Sequence, residues 1–264
     1  MSAIDVNAIG AAVPCGGALL ACTRLAKSYR SGQPVLDGVT LDVPAGQRVA
    51  LIGANGSGKS TLLRCLIGLT PVSGGEILAL GERFGDTLRA AQRARLRRQT
   101  GFVFQNHCLV RRRSVLSNVV QGMLGEPGSW RGFSQMTAPH AWREQAMEAL
   151  DAVGLADRAR ARADQLSGGQ QQRVAIARGL ARTPKLLIAD EPAASLDPAA
   201  GRDIMALFTR LVDERNLTLL FTTHDMEHAV SYADRIVGLK DGVIALNVTA
   251  DIVQAADLAR FFDG

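Results

Sequence analysis

This sequence predicts an α/β fold, and three observations carry the expectation. RVALIG (48–53) is a compact apolar run that passes straight into a glycine loop, GANGSGKST, and then into LLRCLIGL (62–69) at helical spacing. KLLIAD (185–190) and LTLLFTTHD (217–225) are unbroken apolar runs ending in polar residues. That is the pattern of buried parallel strands whose carboxyl ends carry chemistry. The 264 residues, 47% apolar and 21% charged, have an ordinary globular composition and suffice for one large α/β domain or two small ones.

Taken in order, residues 1–18 read as a frayed leader. MSAIDVNAIGAAVPCGG has no basic segment, and Asp5 and Asn7 interrupt its apolar residues, which argues against a secretory signal. Leu19 to Val43 reads as short, partly exposed strands, and VTLDVPAG (39–46) alternates apolar and polar residues as one solvated sheet face requires. The helix through LLRCLIGL is stopped by Thr70-Pro71. SGGEILALGE (73–82) reads as a turn and a strand, and Arg89 to Arg98 has helical composition without a strong apolar face. From 107 to 165 the character changes. Val115 to Leu124 and Ala141 to Val153 read as helices joined by LGEPGSWRGFSQMTAP, as in a helical insertion. RIVGLKDGVIAL (235–246) closes with a hairpin whose Asp241-Gly242 pair suits a type I′ turn. The longest apolar runs are far too short to span a bilayer.

The net charge of +5 comes mostly from arginine, and nine arginines fall between Arg83 and Arg113 against one acid, Asp86. Such a run is usually a solvated helix face, although it also suits lipid headgroups, nucleic acid or nucleotide phosphates. Aromatics are only 5% of the chain and none interleave with the cluster as stacking platforms would, so nucleic acid is not expected as a partner. Cys15, Cys22, Cys65 and Cys108 show neither CxxC spacing nor a dense framework, and read as reduced thiols.

The glycine loop fits G-x-x-x-x-G-K-[ST] in its required context, a strand before and a helix after. Gly53, Gly56 and Gly58 let the backbone turn tightly, so that the loop Gly53, Ala54, Asn55, Gly56, Ser57, Gly58, Lys59, Ser60, Thr61 can present successive N–H groups to phosphates. Lys59 is expected to reach the β- and γ-phosphates and the Ser60 hydroxyl to ligate Mg²⁺. The bland alternative is a glycine-rich turn with an incidental lysine. LLIAD supplies a second metal group, Asp190, at the end of a buried strand, and Glu191 follows as a general base for an attacking water. Asp-Glu pairs are common on surfaces; this placement makes the pair telling.

LSGGQ (166–170) is a second candidate anion device. Ser167 offers a hydroxyl, Gly168 and Gly169 keep the backbone accessible, and a helix dipole stands behind them. Alone it would be no more than a helix cap. With its surroundings, QLSGGQQQRVAIARGLARTPKLLIADEPAASLDP resembles the ATP-binding cassette family over residues 19–245. The resemblance implies a P-loop NTPase core of ABC type with an antiparallel β subdomain and a helical insertion subdomain. It implies one ATP-binding domain at 19–264, with the α/β core at 19–106 and 166–246 and the helical subdomain at 107–165.

The resemblance also implies roles and partners. Two cassettes would pair head to tail as a homodimer, each ATP lying between the glycine loop of one copy and Ser167, Gly168, Gly169 and Gln170 of the other. Tyr29 would stack on adenine, and Gln105 would sense Mg²⁺ and water and link to the membrane partner. His224 would contact the γ-phosphate, and Asp197 would communicate across the dimer. His107, His140 and His228 lack such context. GFVFQNHCLVRRRSVLSNVVQGMLGEPGSWRGF is similar to the phosphonate-import ATPase subgroup at Asn118, Val119, Gly122, Leu124, Gly125, Trp130, Arg131 and Phe133. NHCLV and the tail after Asn247 depart from that subgroup's wording. The alternative for Trp130 and Arg131 is ordinary packing. The implied assembly is a peripheral ATPase on the cytoplasmic side of a bacterial inner membrane. Its partners would be two transmembrane permease subunits and, indirectly, a periplasmic phosphonate-binding protein. Importers of phosphite, phosphate, amino acids or lipoproteins are the near alternatives. A DNA-repair ATPase would need a long heptad insertion, which is missing, and a ribosome-associated protein would normally carry two cassettes.

Overall fold

A computed structural model describes residues 17–29, 32, 34–125 and 128–263. The expected leader lies outside these residues except at Gly17 and Ala18, and Cys15 lies outside them too. The chain begins with β1 (Ala18–Ser28), β2 (Pro34–Pro44), β3 (Arg48–Ile52), α1 (Lys59–Leu66), β4 (Gly74–Ala79) and β5 (Glu82–Phe84). There follow α2 (Ala90–Gln99), β6 (Thr100–Val103), α3 (Val115–Val120), α4 (His140–Ala152), α5 (Gly168–Leu180), β7 (Leu186–Ala189) and α6 (Pro198–Glu214). It ends with β8 (Thr218–Thr222), α7 (Met226–Tyr232), β9 (Arg235–Lys240), β10 (Val243–Thr249) and α8 (Ala255–Asp263). Two compact units share these elements: one takes the residues up to Arg89 and from Leu220, the other Ala90–Leu219, and the chain passes between them within β8.

In the first unit β2-β1-β4-β5 form an antiparallel sheet. The expected alternation holds on β2, where Val39, Leu41 and Val43 are buried and Thr40 and Asp42 are not. β5 was not foreseen. It is three residues long, too short for a periodic signal, and is made by the turn at Leu80 and Gly81, both at positive φ (53° and 83°). The expected Asp241-Gly242 hairpin is present, with φ of 50° and 78°, and joins β9 to β10; β9 in turn pairs parallel with β3. Helix α1 stops before Thr70-Pro71. Gly68, at φ 67°, donates to the Cys65 carbonyl (2.9 Å) and Leu69 to that of Arg64 (2.9 Å), a Schellman closure that glycine favours. Arg48 ties β3 to the start of β9: its backbone N–H gives 2.8 Å to Asp234 Oδ2, and its Nε and Nη2 give 3.1 and 2.5 Å to Oδ1. Burial opposes the Asp234 charge, but these bonds outweigh it and hold the carboxyl below the ordinary carboxylate range.

In the second unit β6 and β7 pair parallel, from Thr100 beside Leu186 to Val103 beside Ala189, and all four residues of β7 are buried. A side chain on Gly101 would collide with the Gly179 carbonyl, so α5 lies directly against β6. α3 continues as a 3₁₀ turn at Gln121–Met123, short of the expected Leu124. Asn118 is fully buried and closes the preceding segment, accepting from Val110 N–H (2.7 Å) and donating to the Val110 and Ser114 carbonyls (3.2 and 3.0 Å). The alternative of burial inside the helical insertion does not hold for Trp130, which is 68% exposed; Phe133 is 57% exposed. α2 buries only Leu96, so its arginines cover a largely solvated helix, the bland reading of the basic run. Cys22, Cys65 and Cys108 are free thiols; burial pushes Cys22 up to about 12 and Cys65 up to about 11. Among the described residues no helix is long and apolar enough to cross a membrane.

Candidate nucleotide-binding and hydrolysis site

The glycine loop of the first unit is built by exclusion. A side chain on Gly53 would collide with the Leu239 carbonyl oxygen, and one on Gly58 would stand 2.8 Å from that of Val35. Gly53, Gly56 and Gly58 also hold φ of 152°, 84° and 103°, values open to glycine. Lys59 is buried to 5% exposure, and its Nζ donates to the carbonyls of Gly53 (2.7 Å) and Ala54 (3.0 Å), so the cation lies under the loop. Helices α3, α5, α6 and α7 each begin with a side-chain cap, on Ser114, Ser167, Asp197 and Asp225. α1 begins on Gly58 with no side-chain cap, as α4 does on Pro139; what sets α1 apart is the glycine loop and Lys59 in front of it. A helix start without a cap, behind a glycine cradle and a lysine, fits a polyphosphate. Ser60 and Thr61 stand in its first turn.

Beside the loop is a cleft of about 630 Å³, lined by Pro34, Val35, Ala54, Asn55, Gly56, Ser57 and the β9–β10 turn from Leu239 to Gly242. The sequence identified that Asp-Gly pair as a turn but not as a wall of the cleft. Tyr29 is half exposed, and Lys27 braces its ring from 4.9 Å while donating to the Pro71 carbonyl (2.7 Å). Lys27 lies near the end of β1 and Tyr29 just past it, and no sequence motif marks the lysine. Thr223 N–H donates to the Leu51 carbonyl (3.3 Å), which sets the exposed His224 just past the end of β8, one residue before the Asp225 cap.

In the second unit the ladder extends one residue beyond β7, the Asp190 N–H donating to the Val103 carbonyl (2.9 Å). Residues just past the two strand ends therefore meet: Gln105 Nε2 donates to Glu191 Oε2 at 3.0 Å. Asp190 is 3% exposed, while Glu191 is half-buried at φ 48°. Left-handed backbone at a non-glycine residue is a strain that collects at functional sites. Among the described residues no three His, Cys, Asp or Glu side chains form a metal cage. A single buried carboxylate fits Mg²⁺ held chiefly by phosphates and water.

LSGGQ forms a capping box. Ser167 Oγ accepts from Gln170 N–H (3.3 Å), and Gln170 Oε1 accepts from Ser167 N–H (3.1 Å). Gly168 and Gly169 open α5, and a side chain on Gly169 would meet nothing within 4 Å. Asp197 Oδ1 accepts from Ala199 and Ala200 N–H (3.1 and 3.0 Å), with Pro198 at the first helical position. Of the three histidines set aside, His140 lies 3.1 Å from Glu144, and His228 stacks edge-on to Tyr232.

Residues 36–194 match the model of the ABC transporter family. The chain is 49% identical to the phosphonates import ATP-binding protein PhnC of Frankia casuarinae, over 84% of this chain and 87% of that one. It is 50% identical to the phosphate-import ATP-binding protein PhnC of Mycolicibacterium smegmatis, over 83% and 85%. Among solved structures, a dimeric post-hydrolysis state of the ATP-binding cassette MJ0796, bound to ADP and Pi, superposes with a TM-score of 0.74. The two share 33% identity, over 88% of this chain and 98% of that one.

Proposed function

Because this chain belongs to the ABC transporter family, we propose that it is the ATP-hydrolysing subunit of an importer that energises phosphonate uptake. The observation that carries the hydrolytic part is the Gln105–Glu191 contact at the paired ends of β6 and β7. Glu191 takes a proton from the attacking water, and Gln105 orients both. Lys59 and the loop from Gly53 to Thr61 hold the triphosphate, Tyr29 stacks on the base, and His224 contacts the γ-phosphate. Ser60, Gln105 and Asp190 would hold Mg²⁺, which would supply charge neutralisation at the phosphates.

Two copies close head to tail over two nucleotides, Ser167, Gly168, Gly169 and Gln170 of each completing the other's pocket, with Asp197 communicating between copies. A dimeric relative bound to ADP and Pi supports this arrangement. The subunit works as one ATP-binding domain, peripheral on the cytoplasmic side of the inner membrane, beneath two permease subunits fed by a periplasmic binding protein. The exposed Trp130 and Phe133 suit contact with the permease rather than with the imported compound.

Import of inorganic phosphate is the second reading, favoured by the 50% identity to the phosphate-import ATP-binding protein of Mycolicibacterium smegmatis. Growth of a strain lacking this chain separates the two. Loss of growth on a phosphonate as sole phosphorus source, with growth on phosphate intact, supports phosphonate. The reverse pattern supports phosphate.

A further inference from the structure

Two residues beyond Gln105 the backbone makes an unusual knuckle. His107 and Cys108 are consecutive non-glycine residues at positive φ, 55° and 49°. Each conformation is disfavoured for an L-residue because Cβ crowds the following carbonyl. Local bonds alone do little to hold the pair: His107 N–H reaches the Phe104 carbonyl (3.1 Å), and Cys108 N–H that of Asn106 (2.5 Å). The remaining restraint comes from far along the chain. On α5, Arg178 Nη2 donates to the His107 carbonyl (2.6 Å) and Nη1 to the Cys108 carbonyl (2.7 Å). Charge-assisted bonds from one planar guanidinium to adjacent carbonyls fix direction as well as distance. Among the described residues no carboxylate pairs with Arg178, so its hydrogen bonds are spent on this knuckle. Its base is fixed too: Ile176, Ala177, Gly179 and Leu180 are buried, and Gly179 lies against Gly101 of β6.

We propose that Arg178 is a positioning residue for ATP hydrolysis, clamping the His107–Cys108 knuckle so that Gln105 stays within hydrogen-bond reach of Glu191. This rests on the roles given above to Gln105 and Glu191. Without the clamp the two strained residues relax, the segment slackens and Gln105 leaves the carboxylate. The glycine loop at 53–61, which carries most of the phosphate contacts, contains none of these residues, and Gln105 is only one of three groups assigned to Mg²⁺, so turnover falls far more than ATP affinity.

The test is steady-state ATP hydrolysis by the full chain carrying Arg178→Lys, Arg178→Ala, Gln105→Ala and the Gln105→Ala/Arg178→Lys pair. Lysine keeps the charge but reaches one carbonyl at a time. It is expected to lower kcat roughly tenfold and alanine roughly a hundredfold, with KM for ATP within about twofold. In the Gln105→Ala background, Arg178→Lys is expected to cost less than about twofold more, because the clamp then has nothing to position. Unchanged kcat in both Arg178 variants overturns the proposal. So does a fall that multiplies with that of Gln105→Ala, or KM rising in step with the loss of kcat. If Arg178→Ala fails to fold, Arg178→Lys decides alone. Normal turnover in Gln105→Ala sinks the reading of Gln105 itself and the proposal with it. A slow Gln105→Ala whose defect multiplies with Arg178→Lys sinks the proposal only.

Discussion

Glu191 holds its carboxylate against Gln105 from a backbone φ of 48°, a conformation that costs a non-glycine residue on the order of 1–3 kcal/mol. Glu191→Gln keeps the side chain's size and its bond to Gln105 but cannot take a proton. Phosphate release is expected to fall by about 10²- to 10⁴-fold while ATP still binds. Full turnover in that variant would remove Glu191 as the base. The residue itself was legible, because LLIA buries a strand and the next two positions are acids. Its backbone was not, since φ there is set by how the loop leaves the sheet. The clamp on His107 and Cys108 is not legible for a related reason: it is made to backbone carbonyls, which every residue carries, so the residue type of the partner leaves no trace.

Helix starts give the next set of expectations. Asp197 caps α6 through Ala199 and Ala200, so Asp197→Ala is expected to cost about 1 kcal/mol and to lower the melting temperature by about 2–4 °C. Asp197→Asn keeps the cap without the charge and is expected to melt near the parent protein; equal losses in calorimetry would mean that the charge, not the cap, matters. The Arg48–Asp234 tie between β3 and β9 depends on pH. Because the folded carboxyl lies below its ordinary 3.8, its stabilisation is complete above that value and disappears as pH falls through the lower folded value. The stability gap between the parent and Asp234→Asn is therefore expected at pH 7 and should close under acid. It should be modest, since the carboxylate is 38% exposed. A gap independent of pH in denaturant titrations would contradict the ion pair. Elements with internal pattern were readable: the alternating β2, the apolar β7 and the Asp-Gly hairpin. β5 has three residues and α8 follows a stretch with no strand–helix signal, so both needed their neighbours to be seen.

At the scale of the whole protein, the parts of the site stand far apart in sequence and were tied together in advance only by their order and wording. If two copies enclose the nucleotides, Glu191→Gln with ATP is expected to elute at twice the protomer mass, and adding Ser167→Glu to return it to single copies. Light scattering that shows single copies in both, with hydrolysis in the otherwise unmodified Ser167→Glu chain undiminished, would reject the shared pocket. The accessibility of the thiols has a practical consequence. Cys22 and Cys65 are buried, with ionisation pushed up to about 12 and about 11, whereas Cys108 is exposed on the knuckle that Arg178 grips. With Cys15 changed to serine, a maleimide dye would attach at one chosen spot, three residues from Gln105. Its emission could then follow that segment through each round of nucleotide capture and release.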